Sequence, residues 1–427
     1  MISKFNLKPN SPAFVALAGL AAFSAYFSMY AFRKPITVAT FENTPTLFGD
    51  IDYKIALITI QVLGYALSKW IGVRVVSSHS AAHRAWLILG LMSISWLALL
   101  GFALLPAPWN LSMVFINSLP LGMIWGFVFA WVEGRRTTEL LSGILCASFI
   151  FASGAVKSVG AWLMHTHNVS EQWMPFATGA IFEIPLLISV ALLACLPAPS
   201  EADIHERRAR VSMDAAARKQ SFIALAPTLA VLIFSYILLT AFRDIRESFA
   251  AEIWADLGYQ NTISAFTISE LPIAIGILCL LSLLSLVRSN KRANTIINIL
   301  IVTGFFIIGI STWAFENNLI SPMAWMTLSG AGLYLAYIPF GTVLFDRMIA
   351  MTGAAGNAGF LVYIADAFGY STGVIVLLIR QFAMPDINWA NFFIAQAYFT
   401  AFFGICFCLL PFLKTKHSDY LPSKSEI

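Results

Sequence analysis

The sequence predicts an all-α polytopic membrane protein with twelve transmembrane helices arranged as two six-helix pseudo-repeats. Its 427 residues are 59% hydrophobic and only 11% charged, whereas a soluble domain carries about 25% charged residues. The apolar segments have the length of spanning helices and lack the alternation of membrane strands. A pattern repeated half a chain apart predicts the division into two halves.

Hydropathy places the predicted spans in two sets of six. The first set covers 12–40, 53–76, 84–106, 109–133, 139–165 and 175–196. The second set covers 221–249, 262–287, 293–315, 321–348, 354–381 and 389–413. We therefore predict an N-terminal bundle over 1–196, a cytoplasmic linker over 197–220, and a C-terminal bundle with a cytoplasmic tail over 221–427.

Basic residues predict the orientation of these spans. Lysine and arginine collect in alternate loops, on the side that holds both termini and the linker. Cytoplasmic loops of membrane proteins carry this excess of basic residues. The sequence therefore predicts that the N-terminus and the C-terminus both lie in the cytoplasm.

The repeated pattern is a tyrosine followed seven residues later by an arginine. It occurs at Tyr26 and Arg33, and again 210 positions later at Tyr236 and Arg243. Further matches at offsets of 210 and 211 are Ser142-Gly143 with Thr352-Gly353 and Arg136 with Arg347. In parallel repeats of six spans, the substrate site lies near the bilayer midplane between the halves. We therefore expect Arg33 and Arg243 to face each other across one central cavity.

Ionisable residues inside the predicted spans are the candidate functional residues, because a charge within the bilayer is costly. Tyr26, Tyr30 and Arg33 recur at helical spacing on the first span and share one face. Tyr65 and Lys69 belong to a polar stripe on the second span. With the arginine of the seventh span, these cations suit an anion with several oxygens, since guanidinium binds phosphate or carboxylate bidentately and lysine adds a point charge.

Structural explanations compete with these roles. Arg33 could instead extend to the outer membrane interface, beside Lys34. Arg246, or Arg243, could form an ion pair with Asp244 or Glu247 at the outer end of the seventh span. Sequence spacing alone leaves both alternatives open.

Three further ionisable residues lie in the fifth, eighth and eleventh spans. Lys157 either contacts the ligand or forms a structural ion pair. Asp366 matches it at an offset of 209, so a Lys157–Asp366 bridge between the halves would explain both, and Asp366 is also a candidate proton carrier. Glu270 lies two residues before Pro272, which frees a backbone carbonyl, and is a second candidate carrier.

Catalytic and metal-binding signatures do not emerge. The sequence lacks the His-Glu-x-x-His motif of zinc proteases. Its five cysteines show neither a disulfide framework nor metal-ligand spacing. We therefore expect no enzymatic activity, no metal site and no cofactor. Besides a transporter, the sequence is compatible with a receptor of the same architecture, which would bind a ligand without moving it.

Across its whole length the chain resembles the major facilitator superfamily, and several stretches are similar to its organophosphate:phosphate antiporters. Tyr26-x3-Tyr30-x2-Arg33-Lys34 is similar to the first-helix motif of that branch, whose arginine binds the substrate phosphate. Lys69, within the stretch 64–72, is similar to a cavity-facing lysine of the second helix. Arg243 falls where the second phosphate-binding arginine lies.

Three positions depart from that branch. Lys157 stands where the branch has a histidine, and Asp366 stands where it has a small residue. The loop after Gly72 lacks the Asp-Arg element of the superfamily. These changes alter the charge expected in the cavity.

The resemblance implies a secondary transporter that moves a small organic anion, a phosphate ester or related oxyanion, across a bacterial inner membrane by alternating access, in antiport with phosphate. A proton-coupled transporter of another small solute, using Asp366 or Glu270, is the alternative. We expect a monomer in the lipid bilayer, with a small anionic substrate and no nucleic-acid partner. The expected substrate-binding residues are Arg33, Arg243, Lys69, Tyr26, Tyr30, Tyr65 and Lys157.

Overall fold

A computed structural model of the chain describes most of its residues. They are 10–47, 51–75, 81–133, 135–201, 203, 215–259, 263–287, 289–342, 344–345, 347–348 and 358–414. Half of the predicted linker, the tail from 415 onward and the Thr352-Gly353 match lie outside the described residues.

The regular structure of the described residues is helical. The N-terminal group of helices consists of α1 (Pro12–Tyr30), α2 (Tyr53–Val75), α3 (Ala81–Leu104), α4 (Asn110–Val132), α5 (Thr138–His167) and α6 (Met174–Ala194). The C-terminal group consists of α7 (Ala215–Ser248), the short α8 (Ala250–Asp256), α9 (Ala265–Ser285), α10 (Asn290–Glu316), α11 (Pro322–Thr342), α12 (Ala358–Ala383) and α13 (Trp389–Lys414).

Each predicted span overlaps one long helix, so the all-helical prediction is confirmed. Within the described residues, nine helices are long and apolar enough to cross a membrane. These nine exclude α7, α11 and α12. Membrane crossing by those three helices, and the arrangement of all twelve as two repeats, stay predictions.

The first predicted span, 12–40, is wrong at its outer end. Helix α1 begins with Pro12, after Ser11 accepts a hydrogen bond from the Phe14 amide at 3.3 Å. It ends at Tyr30, and a turn leads into the 3-10 helix Pro35–Thr37. Proline has no N–H and its ring clashes with the carbonyl four residues earlier. Arg33 therefore lies in a turn rather than on the helix.

Helix α7 differs from α1 in where it begins and in how far it continues. It begins at Ala215, inside the predicted linker, and continues without a break to Ser248. Arg243 consequently lies on a regular helix. The two arginines of the repeated pattern therefore have different local structures.

Among the described helices, two pairs make the most extensive contacts between the groups. Helix α5 packs against α9, and α2 packs against α12. The first pair packs closely, because a Cβ atom at Gly154 would lie 2.2 Å from the carbonyl oxygen of Phe266, and small residues let membrane helices approach in this way. By the 210-residue offset, α5 corresponds to α12 and α2 to α9, so the two contacts are reciprocal.

Candidate functional site

A cavity between the two groups is lined mainly by aromatic side chains. Its empty volume is about 480 Å³, including space open to solvent. The lining residues are Tyr26, Tyr30, Tyr65, Lys69, Trp125, Cys146, Phe149, Tyr236, Arg243, Tyr337, Ile338, Gly341, Val362, Asp366 and Tyr370. The wall thus includes Lys69, Arg243 and the three tyrosines expected from the sequence.

An ion pair between the groups crosses this wall. Nζ of Lys69 on α2 lies 3.0 Å from Oδ2 of Asp366 on α12. The hydroxyl of Tyr236 donates a hydrogen bond to Oδ1 of the same carboxylate. Both charged side chains are buried, so each depends on its partners for the solvation that water would otherwise supply.

Arg243 holds a second polar cluster in the wall. Its NH2 atom donates to Oδ1 of Asp244 and to the hydroxyl of Tyr370, each at 3.0 Å. Its NH1 atom donates to the hydroxyl of Tyr337, and its Cζ atom lies 4.6 Å from the centre of that ring. The Tyr337 hydroxyl is 2.7 Å from the Tyr236 hydroxyl, so the two clusters form one network.

Arg33 does not line the cavity, contrary to the sequence expectation. Its Cζ atom lies 3.8 Å from the ring centre of Tyr65 and 5.8 Å from that of Tyr370. Arg243 lies over the same Tyr370 ring at 5.3 Å. Aromatic rings therefore separate the two arginines. Arg33 leaves the expected face because α1 ends before it.

The predicted Lys157–Asp366 bridge is wrong, because Asp366 pairs with Lys69. Within the described residues, Lys157 is buried and has no carboxylate oxygen within 4.0 Å. Neither Lys157 nor Glu270 lines the cavity. Glu270 instead pairs with Arg246, so the expected pairing of Arg246 with Asp244 or Glu247 is also wrong. Arg246 pairs with a carboxylate on α9 rather than with the acidic residues on its own helix.

At the predicted outer end, three polar contacts join the groups. Nζ of Lys34 lies 2.6 Å from Oε2 of Glu247, and Oγ1 of Thr37 lies 3.4 Å from the Glu247 carbonyl oxygen. Lys54 pairs with Glu252. We call these five residues the outer clasp. Lys34 is therefore buried in an ion pair. It does not lie at the membrane interface, as the alternative for Arg33 and Lys34 had suggested.

The buried centre of the molecule carries an excess of cations. Leaving aside the Lys54–Glu252 pair, which balances its own charge, six buried cations accompany four buried carboxylates among the described residues around the cavity and the outer clasp, an excess of two formal positive charges. The cations are Arg33, Lys34, Lys69, Lys157, Arg243 and Arg246. The carboxylates are Asp244, Glu247, Glu270 and Asp366. Such charges are costly away from water and mark functional sites by default.

Several contributors to the site were missed by sequence reasoning. Neither Tyr337 nor Tyr370 was among the residues singled out from the sequence, yet both accept hydrogen bonds from Arg243. Their partners lie 94 and 127 positions away, so no local spacing could reveal them. Glu247 was considered only as a partner of an arginine on its own helix, yet it contacts Lys34 and Thr37 of the other group.

Contrary to the expectation that catalytic signatures are absent, one catalytic sequence pattern is present, although without its structural context. Gly369-Tyr370-Ser371-Thr372-Gly373 fits Gly-x-Ser-x-Gly, whose serine needs a sharp strand-to-helix turn to act as a nucleophile. Here Ser371 lies within α12 and its hydroxyl donates to the Ala367 carbonyl at 2.8 Å. Within the described ranges, no group of three His, Cys, Asp or Glu residues is placed to hold a metal ion.

The fold is shared with solved membrane transporters of the major facilitator type. A bacterial homologue of the human lysosomal transporter Spinster, inward-facing and unoccupied, is 12% identical with a TM-score of 0.62, covering 97% of this chain and 100% of its own. The nucleoside transporter NupG is 14% identical with a TM-score of 0.60, covering 94% and 99%. A D-xylose–proton symporter is 12% identical with a TM-score of 0.57, covering 92% and 97%. At such identities the likeness shows the fold alone.

The family of the chain follows from its sequence. The model of DUF5690, a family of unknown function, matches residues 35–416. The chain therefore belongs to the DUF5690 family. No curated protein matches it in sequence.

Proposed function

We propose that this protein is a secondary active transporter, not an enzyme, that moves a small organic anion by alternating access. The anion is a phosphate ester or a related oxyanion, exchanged for inorganic phosphate. The transporter acts as a monomer in a bacterial inner membrane, with both termini in the cytoplasm. No cofactor and no nucleic acid take part.

The excess of buried positive charge around a cavity between two helix groups carries this proposal. Lys69 and Arg243 lie in the cavity wall, where an oxyanion would meet a point charge and a guanidinium fork. Behind the wall, the Nε atom of Arg33 has no hydrogen-bond partner among the described residues. An anion in the cavity would compensate the positive charge that the four buried carboxylates leave unbalanced.

Alternating access is supported by the position of the clasp. The outer clasp joins the groups on one side of the cavity through contacts between separate helices. Ion pairs of this kind exchange for water or other partners when two packed bodies rock. Opening at this end, with closure at the other, would expose the cavity to each side in turn.

The test is exchange transport by the purified protein in proteoliposomes loaded with inorganic phosphate. Radiolabelled phosphate outside should enter by exchange, and ethyl phosphate should compete. The variants Arg33→Gln and Arg243→Gln should lose exchange. If both retain wild-type exchange, the proposed role of the arginines is wrong. Binding of ethyl phosphate without any counterflow would identify a receptor instead.

A proton-coupled transporter of another solute is the second candidate, and the position of Asp366 favours it. Asp366 supplies a carboxylate to the cavity wall, whereas Glu270 is held away from the cavity by Arg246. Solute uptake driven by an inward proton gradient, insensitive to phosphate esters and abolished by Asp366→Asn, would establish this function over anion exchange.

A further inference from the structure

We propose that the cavity binds a small zwitterion, a molecule that carries an oxyanion group and an ammonium group together. The inference rests on the proposed transport of oxyanions and narrows the substrate class. It follows from the signs of charge in the described cavity wall, where Lys69 and Arg243 stand with the carboxylate of Asp366.

A site for a simple anion gains nothing from Asp366. The carboxylate lies 3.0 Å from Nζ of Lys69 and cancels most of the field that this lysine would offer. It would also repel an oxyanion beside it, and like charges placed together are a means of rejecting a ligand. A ligand that brings its own cation turns this repulsion into attraction.

Asp366 has acceptor capacity left for such a cation. Its Oδ1 atom accepts from Tyr236 and its Oδ2 atom pairs with Lys69. An ionised carboxylate offers about four lone-pair sites. The carboxylate can therefore receive further N–H donors from a ligand ammonium while it keeps both protein partners.

Arg243 offers the complementary end of the site. Its described hydrogen bonds use NH1 for Tyr337 and NH2 for Asp244 and Tyr370. Its buried Nε atom makes no hydrogen bond within the described residues and lies 3.9 Å from Oε1 of Glu247. Guanidinium carries five N–H donors, so donors remain for a ligand oxyanion.

The spacing of the two ends sets the size of the ligand. Two hydroxyl groups, those of Tyr236 and Tyr337, link the Asp366 carboxylate to the Arg243 guanidinium through a chain of hydrogen bonds. The two ends are thus close neighbours in one wall. A short aliphatic spacer between ammonium and oxyanion would satisfy both.

Aromatic rings add attraction for the ligand cation. Six tyrosines line the cavity: Tyr26, Tyr30, Tyr65, Tyr236, Tyr337 and Tyr370. The faces of tyrosine rings attract cations, and the rings of Tyr65 and Tyr337 already receive the guanidinium groups of Arg33 and Arg243 at 3.8 and 4.6 Å. This lining favours an ammonium group over a neutral substituent of the same size.

The test compares ligands that differ only in an amino group. Phosphoethanolamine is paired with ethyl phosphate, and β-alanine with propionate, by titrating the thermal stability of the purified full-length protein. We expect the aminated member to bind about tenfold more tightly in at least one pair, the effect of one charged hydrogen-bonding contact. The better pair identifies the oxyanion as phosphate or carboxylate.

Two variants assign the preference to the carboxylate. Asp366→Asn should lose the preference for the amine while it still binds the unaminated partner. Glu316→Gln, which neutralises an exposed carboxylate that lies outside the cavity wall and accepts from Tyr398, should keep the preference. Retention of the preference by Asp366→Asn would refute the role of this carboxylate.

If a variant does not fold, the ligand comparison on the wild-type protein is sufficient to test the proposal. Equal affinity for both members of each pair would overturn the zwitterion inference and leave the anion function standing. Failure of all four compounds to bind would remove the proposed oxyanion function as well.

Discussion

At the residue scale, the cavity depends on a few long-range pairings rather than on any local motif. Lys69 and Asp366 are 297 positions apart in the sequence. Even so, Nζ of the lysine lies 3.0 Å from Oδ2 of the aspartate. Arg243 donates hydrogen bonds to two tyrosine hydroxyls and to one aspartate. These residues therefore act as a network, and a change at one of them should alter the others.

Arg243 should supply much of the affinity for an oxyanion. We expect Arg243→Gln to weaken binding of ethyl phosphate about 10- to 100-fold, because charged hydrogen bonds are lost from a buried wall. Titrated thermal stability measures the change. Arg380→Gln is the matched control, since Arg380 is bound to the backbone carbonyls of Met384, Pro385 and Ile387 away from the cavity. Equal weakening by both variants would contradict a specific role.

The Arg246–Glu270 pair should act mainly on stability. Glu270→Gln leaves a buried arginine without its carboxylate, and loss of one partner of a buried pair costs about 3–5 kcal/mol. The double change Arg246→Met with Glu270→Met should cost less, because no charge stays buried alone. Unfolding midpoints in one detergent compare the variants. A double variant less stable than Glu270→Gln would contradict this account.

At the element scale, two close helix crossings have different roles. Gly154 on α5 meets α9 across the boundary between the groups, whereas Gly304 on α10 meets Gly332 of α11 inside the C-terminal group. A Cβ atom would lie 2.2 Å from a backbone oxygen at Gly154 and 2.4 Å from one at Gly304. Under the proposed alternating access, the first crossing would slide and the second would stay fixed.

Alanine at the two glycines should therefore give different defects. Gly304→Ala should lower the unfolding free energy by about 1–3 kcal/mol, the cost of overpacking. Gly154→Ala should change the exchange rate more than the unfolding midpoint, because the groups can separate at that boundary. Gly90→Ala is the control, since a Cβ atom there meets no described atom within 4 Å. Identical profiles for Gly154→Ala and Gly304→Ala would oppose this distinction.

At the scale of the whole molecule, ion pairs join the groups at both ends. Lys34 and Glu247 pair within the outer clasp at 2.6 Å, with both side chains almost fully buried. At the opposite end, Arg347 pairs with Glu139 at 2.8 Å, and the carboxylate is about one-third exposed. Removing one charge of the buried pair leaves its partner buried and unpaired, which costs more than the same change at a partly exposed pair.

Neutralising the two pairs should shift the conformational equilibrium in opposite directions. Glu247→Gln should open the outer end, and Glu139→Gln should open the other end by a smaller amount, because water screens the exposed pair. Distances between spin labels placed on α3 and α10, at one end and then at the other, measure each population. Shifts in the same direction would contradict gating by these pairs.

The sequence predicted the helices well, because hydropathy reports directly on the cost of burying backbone and side chains in lipid. It predicted the site in part: Lys69, Arg243 and Tyr26 line the cavity. It misplaced Arg33, since the helical spacing was extended past the point where Pro35 ends the helix. It mispaired Lys157 with Asp366, since the offset of a repeat says which positions correspond and not which atoms meet.

By itself, the sequence determined an all-helical membrane fold and a set of buried cations that need compensation. Both follow from composition and local spacing, which fix how each segment partitions between water and lipid. Only the tertiary structure decided which carboxylate each cation meets, that tyrosine rings separate the two arginines, and that Asp366 enters the cavity wall. Those outcomes depend on how α2, α7 and α12 pack against one another, and a charge inside a protein pairs with the nearest partner in space, whatever its distance along the chain.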